Sequence, residues 1–308
     1  MIYDLVIIGG GPAGTAAGVY AARKQLKTKL ITPDLGGQSI VSPDIQNWIG
    51  TPSISGEALA KQFKTHLEAN AGEWLELAVG PKVKSIEKTD DHFAITTDNS
   101  DKFETQAVLL AAGAKRRPLE VHGAAEYDQK GLTYCASCDG PLYAGQDVVV
   151  VGGGNAGFET AGQLLAYAKS VTLLHRSPEF KADAVTVEKL SKNPKFHALR
   201  NAEPTEVKGD KFVTGIAYRD KDSGEIKELP AAGIFVEIGF LPNTEMVKEL
   251  VELNQYGAVK IDCRNQRTSI DGLWAAGDCT DELFHQNNIA AGDAVKALED
   301  IYNWIQLR

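Results

Sequence analysis

The sequence has 308 residues and a formal net charge of −9, a length that suits two domains better than one small core. The acidic balance argues against nucleic acid or an anionic membrane surface as the main partner, because both attract a basic face. The apolar runs are too short to span a bilayer. Since the N-terminus, MIYDLVIIGGG, enters a core strand without a basic region or cleavage signal, we expect a cytoplasmic protein.

The first elements predicted along the chain are a strand, a glycine-rich turn and a helix. VIIGGGPAG at 6–14 contains G-x-G-x-x-G, and a second apolar strand follows at 28–31. Gly9 allows the tight turn, Gly11 lets the backbone approach a pyrophosphate, and Gly14 lets the helix pack close to the strand. This βαβ unit predicts a dinucleotide at the helix N-terminus. No acid stands directly at the end of the second strand, so its ribose contact is not identified.

The segment TYCASCDGPLY at 133–143 contains the pair Cys135 and Cys138. A C-x-x-C pair can be half of a zinc site, a structural crosslink or a redox dithiol. A closed zinc site needs four ligands, usually as two short-spaced pairs, and Cys263 and Cys279 do not form a second short pair. A permanent crosslink is disfavoured in a reducing cytoplasm. We expect a redox dithiol, no metal site, and small buried side chains at Cys263 and Cys279.

The glycine motif then returns as VVVGGGNAG at 149–157, again between two apolar strands. Gly152, Gly154 and Gly157 take the same three roles as in the first copy, so the chain is expected to bind two dinucleotides. Where an NAD site usually has an acid, the second copy has HRSPEFK at 175–181. This cationic group suits the 2′-phosphate of NADPH, and an ordinary exposed basic strand end is the alternative.

The C-terminal part completes the first domain. A buried strand is predicted at 108–114. Another apolar strand is predicted in GLWAAGDCTD at 272–281 and ends at Gly277 and Asp278, where an acid can bind a ribose or ribitol hydroxyl. Helical spacing at 286–305 places a helix N-terminus towards the same ligand. These segments flank the second βαβ unit on both sides. The predicted fold is therefore α/β, with two Rossmann-like three-layer domains: 1–115 with 243–308, and an inserted domain at 116–242.

In order along essentially the full length, the motifs GGGPAG, GGQSIVSPDIQNWIG, AAGA, CASCDG, GGGNAGFE, HRSPEF and AAGDC resemble the low-molecular-weight thioredoxin reductases of the pyridine nucleotide–disulphide oxidoreductase superfamily. The resemblance implies FAD in the first domain, NADPH in the inserted domain, a thioredoxin-like partner and a homodimer. It implies an FAD site at Gly9, Gly11, Gly14, Gly37, Gln38, Asn47, Asp278 and Gln286. It implies a nucleotide site at Gly152, Gly154, Asn155, Gly157, Glu159, His175, Arg176 and Lys181.

The resemblance also implies an order of electron transfer, from NADPH through FAD to the Cys135–Cys138 disulphide and on to the partner. Cys138 would face the flavin, Cys135 would attack the partner, and Asp139 would be the acid–base group. A turn-forming role is the compatible alternative for Asp139. The inserted domain would rotate about connections near 116–118 and 241–243. A regulator without catalysis is disfavoured, because it has no use for a dithiol.

Some positions depart from the family pattern. The phosphate-binding pattern is H-R-R-x-x-x-R, but Ser177 and Lys181 replace two arginines, which weakens the expected grip on a 2′-phosphate. GGGNAGFETA, FKAD and AGIFVEIGFLPNT are similar to the flavoprotein subunit of alkyl hydroperoxide reductase, an NADH enzyme. Some relatives stack a C-terminal aromatic on the flavin and accept electrons from ferredoxin, which concerns Tyr302 and Trp304. NADPH is the expected electron donor, with NADH or ferredoxin as alternatives. For Tyr302 and Trp304, helix packing or a dimer contact is the other interpretation.

Overall fold

The computed structural model describes residues 2–42 and 44–308. The strands of these residues are β1 Ile2–Ile8, β2 Thr28–Thr32, β3 Leu75–Val79, β4 Val83–Lys88, β5 Phe93–Thr97, β6 Lys102–Leu110, β7 Ala114–Arg116, β8 Leu132–Thr133, β9 Asp147–Val151, β10 Ser170–Leu174, β11 Phe196–Leu199, β12 Ala202–Gly209, β13 Val213–Asp220, β14 Ile226–Pro230, β15 Gly233–Val236, β16 Phe240–Pro242 and β17 Leu273–Ala275. The helices are α1 Pro12–Arg23, α2 Gly56–Ala71, α3 Ala136–Asp139, α4 Asn155–Leu164, α5 Ala184–Ser191 and α6 Asn287–Gln306, with 3₁₀ turns at Gly37–Val41, Gly140–Tyr143 and Glu245–Val247.

The chain divides into two compact units. Residues up to 115 together with 240–308 form the first unit, and 116–239 form the second, inserted unit. The second crossing lies at 239/240, whereas the sequence predicts 242/243. Strand β16, which the sequence analysis assigns to the inserted domain, belongs to the first unit and pairs with β7 as a short two-stranded sheet.

The first unit is a three-layer α/β structure around a mixed sheet, in which β5 pairs in antiparallel with both β4 and β6. In the described residues, the strand order is β3-β2-β1-β6-β5-β4, and β17 adds to β6 in parallel. Helices α1, α2 and α6 cover one face. On the other face, the segment around 247–279 packs together with side chains of β4 and β5. The central strand β1 is apolar on both faces at its carboxyl end, as expected of a parallel strand buried on both sides.

The second unit repeats this three-layer plan on a smaller scale. Its sheet has the order β11-β10-β9-β15-β8 in the described part of the chain, with all pairings parallel. Helix α4 packs on one face, and the antiparallel sheet β12-β13-β14 packs on the other. Both units therefore match the predicted fold class, and each glycine motif lies at the carboxyl end of a central parallel strand. Within 2–42 and 44–308, no helix is both long enough and apolar enough to cross a bilayer.

Candidate active site

The first unit contains a cavity of about 410 Å³ at the carboxyl ends of its parallel strands. The glycine turn after β1, the loop after β2, the residues after β6 and β17, and the start of α6 form its wall. Gly9, Gly11, Gly37, Gln38 and Asp278 are the predicted flavin-site residues that line it. The crevice outside the carboxyl strand ends is where open α/β sheets bind ligands.

The backbone of this cavity fits a dinucleotide pyrophosphate. Gly9 has φ +117°, and a Cβ there would lie 2.1 Å from the carbonyl oxygen of Ala111, so only glycine is accommodated. A Cβ on Gly14 would lie 1.9 Å from the carbonyl oxygen of Gly9, which shows how closely α1 packs on the turn. Helix α1 begins at Pro12 without an acidic residue in its first turn. Its free N–H groups and positive dipole end therefore favour an anion.

Polar side chains from distant parts of the sequence meet beside this cavity. The Gln38 amide donates to the Asp278 carboxylate at 3.3 Å, and the Asn47 amide donates to Gln286 at 3.2 Å. Asn288 also donates to the Asn47 carbonyl oxygen at 2.7 Å. Four of the predicted flavin-site residues are thus brought together as two pairs, although Gln286 and Asn47 do not line the cavity itself.

Sequence reasoning missed several residues of the cavity wall, among them Asp34, Lys82, Asn243 and Met246. Asn243 donates to the Ala112 carbonyl oxygen at 2.8 Å and so fixes the end of the β6 segment. Asp34 lies two residues beyond β2, near the position at which an acid binds a ribose hydroxyl in such folds. An acid just past an apolar strand is a local signal for Asp34, whereas Lys82 and Met246 carry no local signal.

The second glycine turn, in the inserted unit, has the same geometry as the first. A Cβ on Gly152 would lie 2.1 Å from the Glu237 carbonyl oxygen, and one on Gly157 would lie 1.9 Å from the Gly152 carbonyl oxygen. A Cβ on Gly154 would meet nothing within 4 Å, which leaves room for a ligand. Helix α4 begins at Asn155, again without an acid in its first turn. The turn therefore fits a second pyrophosphate.

The other residues that are predicted to bind the nucleotide differ in burial and in hydrogen bonding. His175 is buried, its Nε2 lies 2.8 Å from the Glu179 carbonyl oxygen, and burial lowers the pKa of its imidazole. Arg176 is exposed, and Lys181 donates its N–H to the Gly153 carbonyl oxygen at 2.8 Å. His175 therefore positions the loop as a neutral ring, while the positive charge lies on the other two side chains. Separately, the side chain of Asn155 accepts the Asp183 N–H at 2.8 Å, and Glu159 is exposed on α4.

A buried carboxyl that the sequence analysis did not single out lies directly after β15. Glu237 accepts a hydrogen bond from Thr160 at 2.9 Å and lies 3.9 Å from the Arg116 guanidinium. Burial raises its pKa, while Arg116 and Thr160 oppose that rise. An acid directly after the apolar run AGIFV was a signal that could have identified it.

The inserted unit also carries the cysteine pair, joined as a disulphide. Cys135 and Cys138 have Cα atoms 5.3 Å apart, at either end of the first turn of the short helix α3. The Cys138 N–H donates to the Cys135 sulphur at 3.2 Å. A negative charge on Cys135 after reduction would therefore be stabilised by a backbone N–H.

Asp139 follows the disulphide and is held by one hydroxyl. The Thr133 hydroxyl donates to its carboxylate. Burial raises the pKa of Asp139, and the Thr133 hydrogen bond and the Arg116 charge only partly oppose that rise. The carboxyl can thus hold a proton at a pH where an exposed aspartate is ionised. Such an environment is typical of an acid–base group.

The other two cysteines differ from each other. Cys279 is fully buried, and burial raises the pKa of its thiol to about 12. Cys263 is exposed, so the expectation that it is buried is wrong. It lies in a tight turn that is closed by a hydrogen bond from the Gln266 N–H to the Asp262 carbonyl oxygen at 2.7 Å. In residues 2–42 and 44–308 no group of three or more His, Cys, Asp or Glu side chains could hold a metal.

The C-terminal aromatics pack against their own unit. Trp304 is buried, donates to Asp271 at 2.8 Å and contacts Trp274 edge-on at 5.4 Å between ring centroids. The Lys24 ammonium lies 4.4 Å from the Tyr302 ring centroid. These contacts support helix packing for both aromatics.

Comparisons with known proteins agree with this geometry. The sequence profile of the family "pyridine nucleotide-disulphide oxidoreductase" matches residues 3–294. The chain is 40% identical over 304 residues to the F subunit of alkyl hydroperoxide reductase from Escherichia coli. It is 37% identical over 303 residues to an NADH dehydrogenase of Bacillus subtilis. Each alignment covers 98% of this chain and 58% of the relative, so the chain spans a little over half the length of these curated relatives.

Solved structures resemble the chain over its whole length. Thioredoxin reductase from Streptococcus pyogenes has a TM-score of 0.92 and 33% identity, over 100% of this chain and 99% of that one. Thioredoxin reductase from Giardia duodenalis has a TM-score of 0.93 and 33% identity, over 99% of both chains.

Proposed function

The chain belongs to the pyridine nucleotide-disulphide oxidoreductase family, and on that premise we propose that it is a flavin-dependent disulphide reductase. Its electrons come from NADPH and pass through FAD and the Cys135–Cys138 pair to a thioredoxin-like protein. One observation carries the proposal: a disulphide, followed directly in the sequence by Asp139, whose raised pKa suits proton transfer, lies in the unit that also carries the second dinucleotide turn. A homodimer is part of the proposal, by the resemblance.

The residues of the first unit fit FAD. The turn at Gly9–Gly14 would hold the pyrophosphate, and Asp278 and Gln38 would offer polar groups to the hydroxyls of the bound FAD. When bound, FAD supplies two-electron chemistry between a pyridine nucleotide and a disulphide. The protein contributes the orientation and the electrostatic environment of that group.

The dithiol then performs thiol–disulphide exchange. The Cys135 thiolate, beside the Cys138 N–H, attacks one sulphur of the partner disulphide, and the other partner sulphur leaves as a thiolate. Cys138 next gives up its proton and attacks the Cys135 sulphur, which reforms the intramolecular disulphide and expels the second partner sulphur as a thiolate. The proton from Cys138 and one from Asp139 convert the two partner thiolates to a dithiol. Two electrons move from the pair to the partner. Asp139 holds and donates the proton that a leaving thiolate needs.

The choice of NADPH rests on the loop after β10. Arg176 and Lys181 are cationic, and neither of the first two positions after the strand is an acid. An acid is what a ribose 2′-hydroxyl would require, and a cation suits the 2′-phosphate.

A second candidate is an NADH-driven reductase serving a peroxide-reducing system. The observation in its favour is the similarity to the F subunit of alkyl hydroperoxide reductase and to the protein called NADH dehydrogenase. The serine at position 177 is consistent with this second candidate.

Anaerobic titration of the flavin-loaded protein distinguishes the two. We expect NADPH to bleach the flavin absorbance at lower concentrations than NADH, and added oxidised thioredoxin to restore it. The Cys138→Ser protein should keep its flavin and lose thioredoxin reduction, whereas the control Cys263→Ser should keep both, since Cys263 lies outside the pair. Undiminished thioredoxin reduction by the Cys138→Ser protein would exclude the dithiol mechanism. Bleaching by NADH at the lower concentrations would favour the second candidate.

A further inference from the structure

One arginine outside the predicted nucleotide residues lies over the loop that follows β10. Arg200 comes directly after β11, the neighbour of β10 in the sheet. Its Nη1 lies 3.5 Å from the Pro178 carbonyl oxygen, and its guanidinium carbon lies 5.6 Å from the Phe180 ring centroid. The side chain therefore reaches from a different strand into the region where Ser177 provides no charge.

The backbone of that loop is tied to the residues on both sides of Arg200. The His175 N–H donates to the Leu199 carbonyl oxygen at 2.8 Å, and the Asn201 N–H donates to the Ser177 carbonyl oxygen at 3.2 Å. These two bonds bracket Arg200 in the sequence. The position of its Cα relative to the loop is thus set by the main chain and does not depend on the arginine side chain.

The loop in turn is fixed against the second glycine turn. The Lys181 N–H donates to the Gly153 carbonyl oxygen at 2.8 Å, and a Cβ on Gly153 would lie 2.5 Å from the imidazole of His175. In a dinucleotide site of this type, the residues after the second strand approach the ribose 2′ position. Arg176 lies on this loop and Arg200 lies against it, so both arginines are candidates to contact a 2′-phosphate.

Arg200 is exposed, and no carboxylate of residues 2–42 and 44–308 forms an ion pair with it. The turn that follows β11 is held by Asn201, which has φ +53° and donates to Asp222 at 2.8 Å. The turn is therefore held by Asn201 and does not need the Arg200 side chain. A guanidinium that lies over an aromatic ring and has free N–H donors is well suited to bidentate contact with phosphate.

We propose that Arg200 is a specificity-determining residue, which together with Arg176 binds the 2′-phosphate of NADPH and replaces the charge absent at Ser177. The inference rests on the proposed function in taking NADPH as the nucleotide. It adds a residue from a separate strand that the linear motif at 175–181 does not contain.

The test measures binding rather than turnover. Isothermal titration of the flavin-loaded full chain with 2′,5′-ADP and with 5′-AMP isolates the 2′-phosphate, because the two probes differ only in that group. The wild type should prefer 2′,5′-ADP. Arg200→Leu should reduce this preference roughly tenfold, since charge-assisted contacts to phosphate are strong, and should leave 5′-AMP affinity unchanged. Arg200→Lys should give an intermediate preference, because it keeps the charge without the planar fork.

Arg219→Leu is the matched control, since Arg219 is an exposed arginine on β13 of the same unit, and it should retain the wild-type preference. An unchanged preference in Arg200→Leu would overturn the role of Arg200 but not the choice of NADPH. Equal affinity of the wild type for both probes would overturn this role together with the choice of NADPH. Neither probe carries a nicotinamide, so their binding does not depend on turnover. If the protein fails to reduce thioredoxin but shows the Arg200-dependent preference, the proposed partner is wrong and the role of Arg200 stands.

Discussion

At the scale of the residue, burial raises the pKa of both Asp139 and Cys279, but the two groups have different chemical roles. Burial raises the pKa of the Cys279 thiol to about 12, so it remains protonated and inert in neutral solution. Burial also raises the pKa of Asp139, which follows Cys138 in the sequence, and in the proposed function the retained proton serves thiol–disulphide exchange. Cys279, by contrast, lies in an apolar core cluster, where its thiol bonds to the Leu110 and Ala276 carbonyl oxygens, each at 3.5 Å.

The raised pKa of Asp139 predicts a pH-dependent stability. The native carboxyl retains a proton over a pH range in which the unfolded chain has released it, so the free energy of unfolding falls as pH rises from the ordinary aspartate pKa to the native one. Asp139→Asn should remove this fall and lower partner reduction roughly 100-fold, because the proton donor is lost. Urea unfolding between pH 4 and pH 8 measures the first effect, and steady-state assays measure the second. The exposed Asp210→Asn variant is the control and should show neither. Full activity of Asp139→Asn would refute the acid–base role.

At the scale of the element, the same strand–turn–helix unit appears twice with nearly the same atomic constraint. In both copies the third glycine would place a Cβ 1.9 Å from the carbonyl oxygen of the first glycine. A side chain there forces the helix away from the strand and displaces the N–H groups that point at the ligand.

Gly157→Ala should therefore weaken pyridine nucleotide binding at least roughly tenfold and destabilise the chain by about 1–3 kcal/mol, as overpacking does. The first unit is unaffected, so the flavin absorbance should persist. Gly162→Ala in the same helix is the control: its Cβ would meet the Leu190 side chain only at 3.7 Å, and alanine favours a helix by up to about 1 kcal/mol. Fluorescence titration with NADPH and thermal unfolding compare the two. Equal nucleotide affinity in both variants would show that the turn is not the binding site.

At the scale of the whole molecule, two units with separate cores are joined by two short connections, at 115/116 and 239/240. The dithiol and the second dinucleotide turn both belong to the inserted unit, while the flavin cavity belongs to the other. If both groups use the same flavin face, one arrangement of the units cannot serve both steps. The inserted unit must then move during each turnover.

Energy transfer between dyes on the two units measures this movement. With dyes at the exposed positions Phe212 in the inserted unit and Tyr256 in the first unit, we expect the distribution of transfer efficiencies to shift when NADPH is added anaerobically. A pair at Ile49 and Tyr256, both exposed in the first unit, should show no change. A single unchanged distribution for the first pair during active turnover would argue against the rotation.

Much of this protein was determined by local sequence. The glycine positions follow from backbone sterics, and the C-x-x-C spacing allows a disulphide across one helical turn, so both were predictable from short stretches. The apolar strands that flank each motif also predicted the parallel sheets and the inserted order of the units. These features depend on neighbours in the chain, which a sequence shows directly.

Other features were decided only by tertiary structure. The cavity wall at Lys82 and Met246, the exposure of Cys263 and the burial of His175 depend on which distant segments pack together. The same holds for Arg200, which reaches the loop after β10 because β11 lies beside β10 in the sheet. Burial, pKa and charge complementarity arise from contacts between residues far apart in the chain. Such proximity leaves no pattern in a short stretch of sequence, so only the tertiary structure determines it.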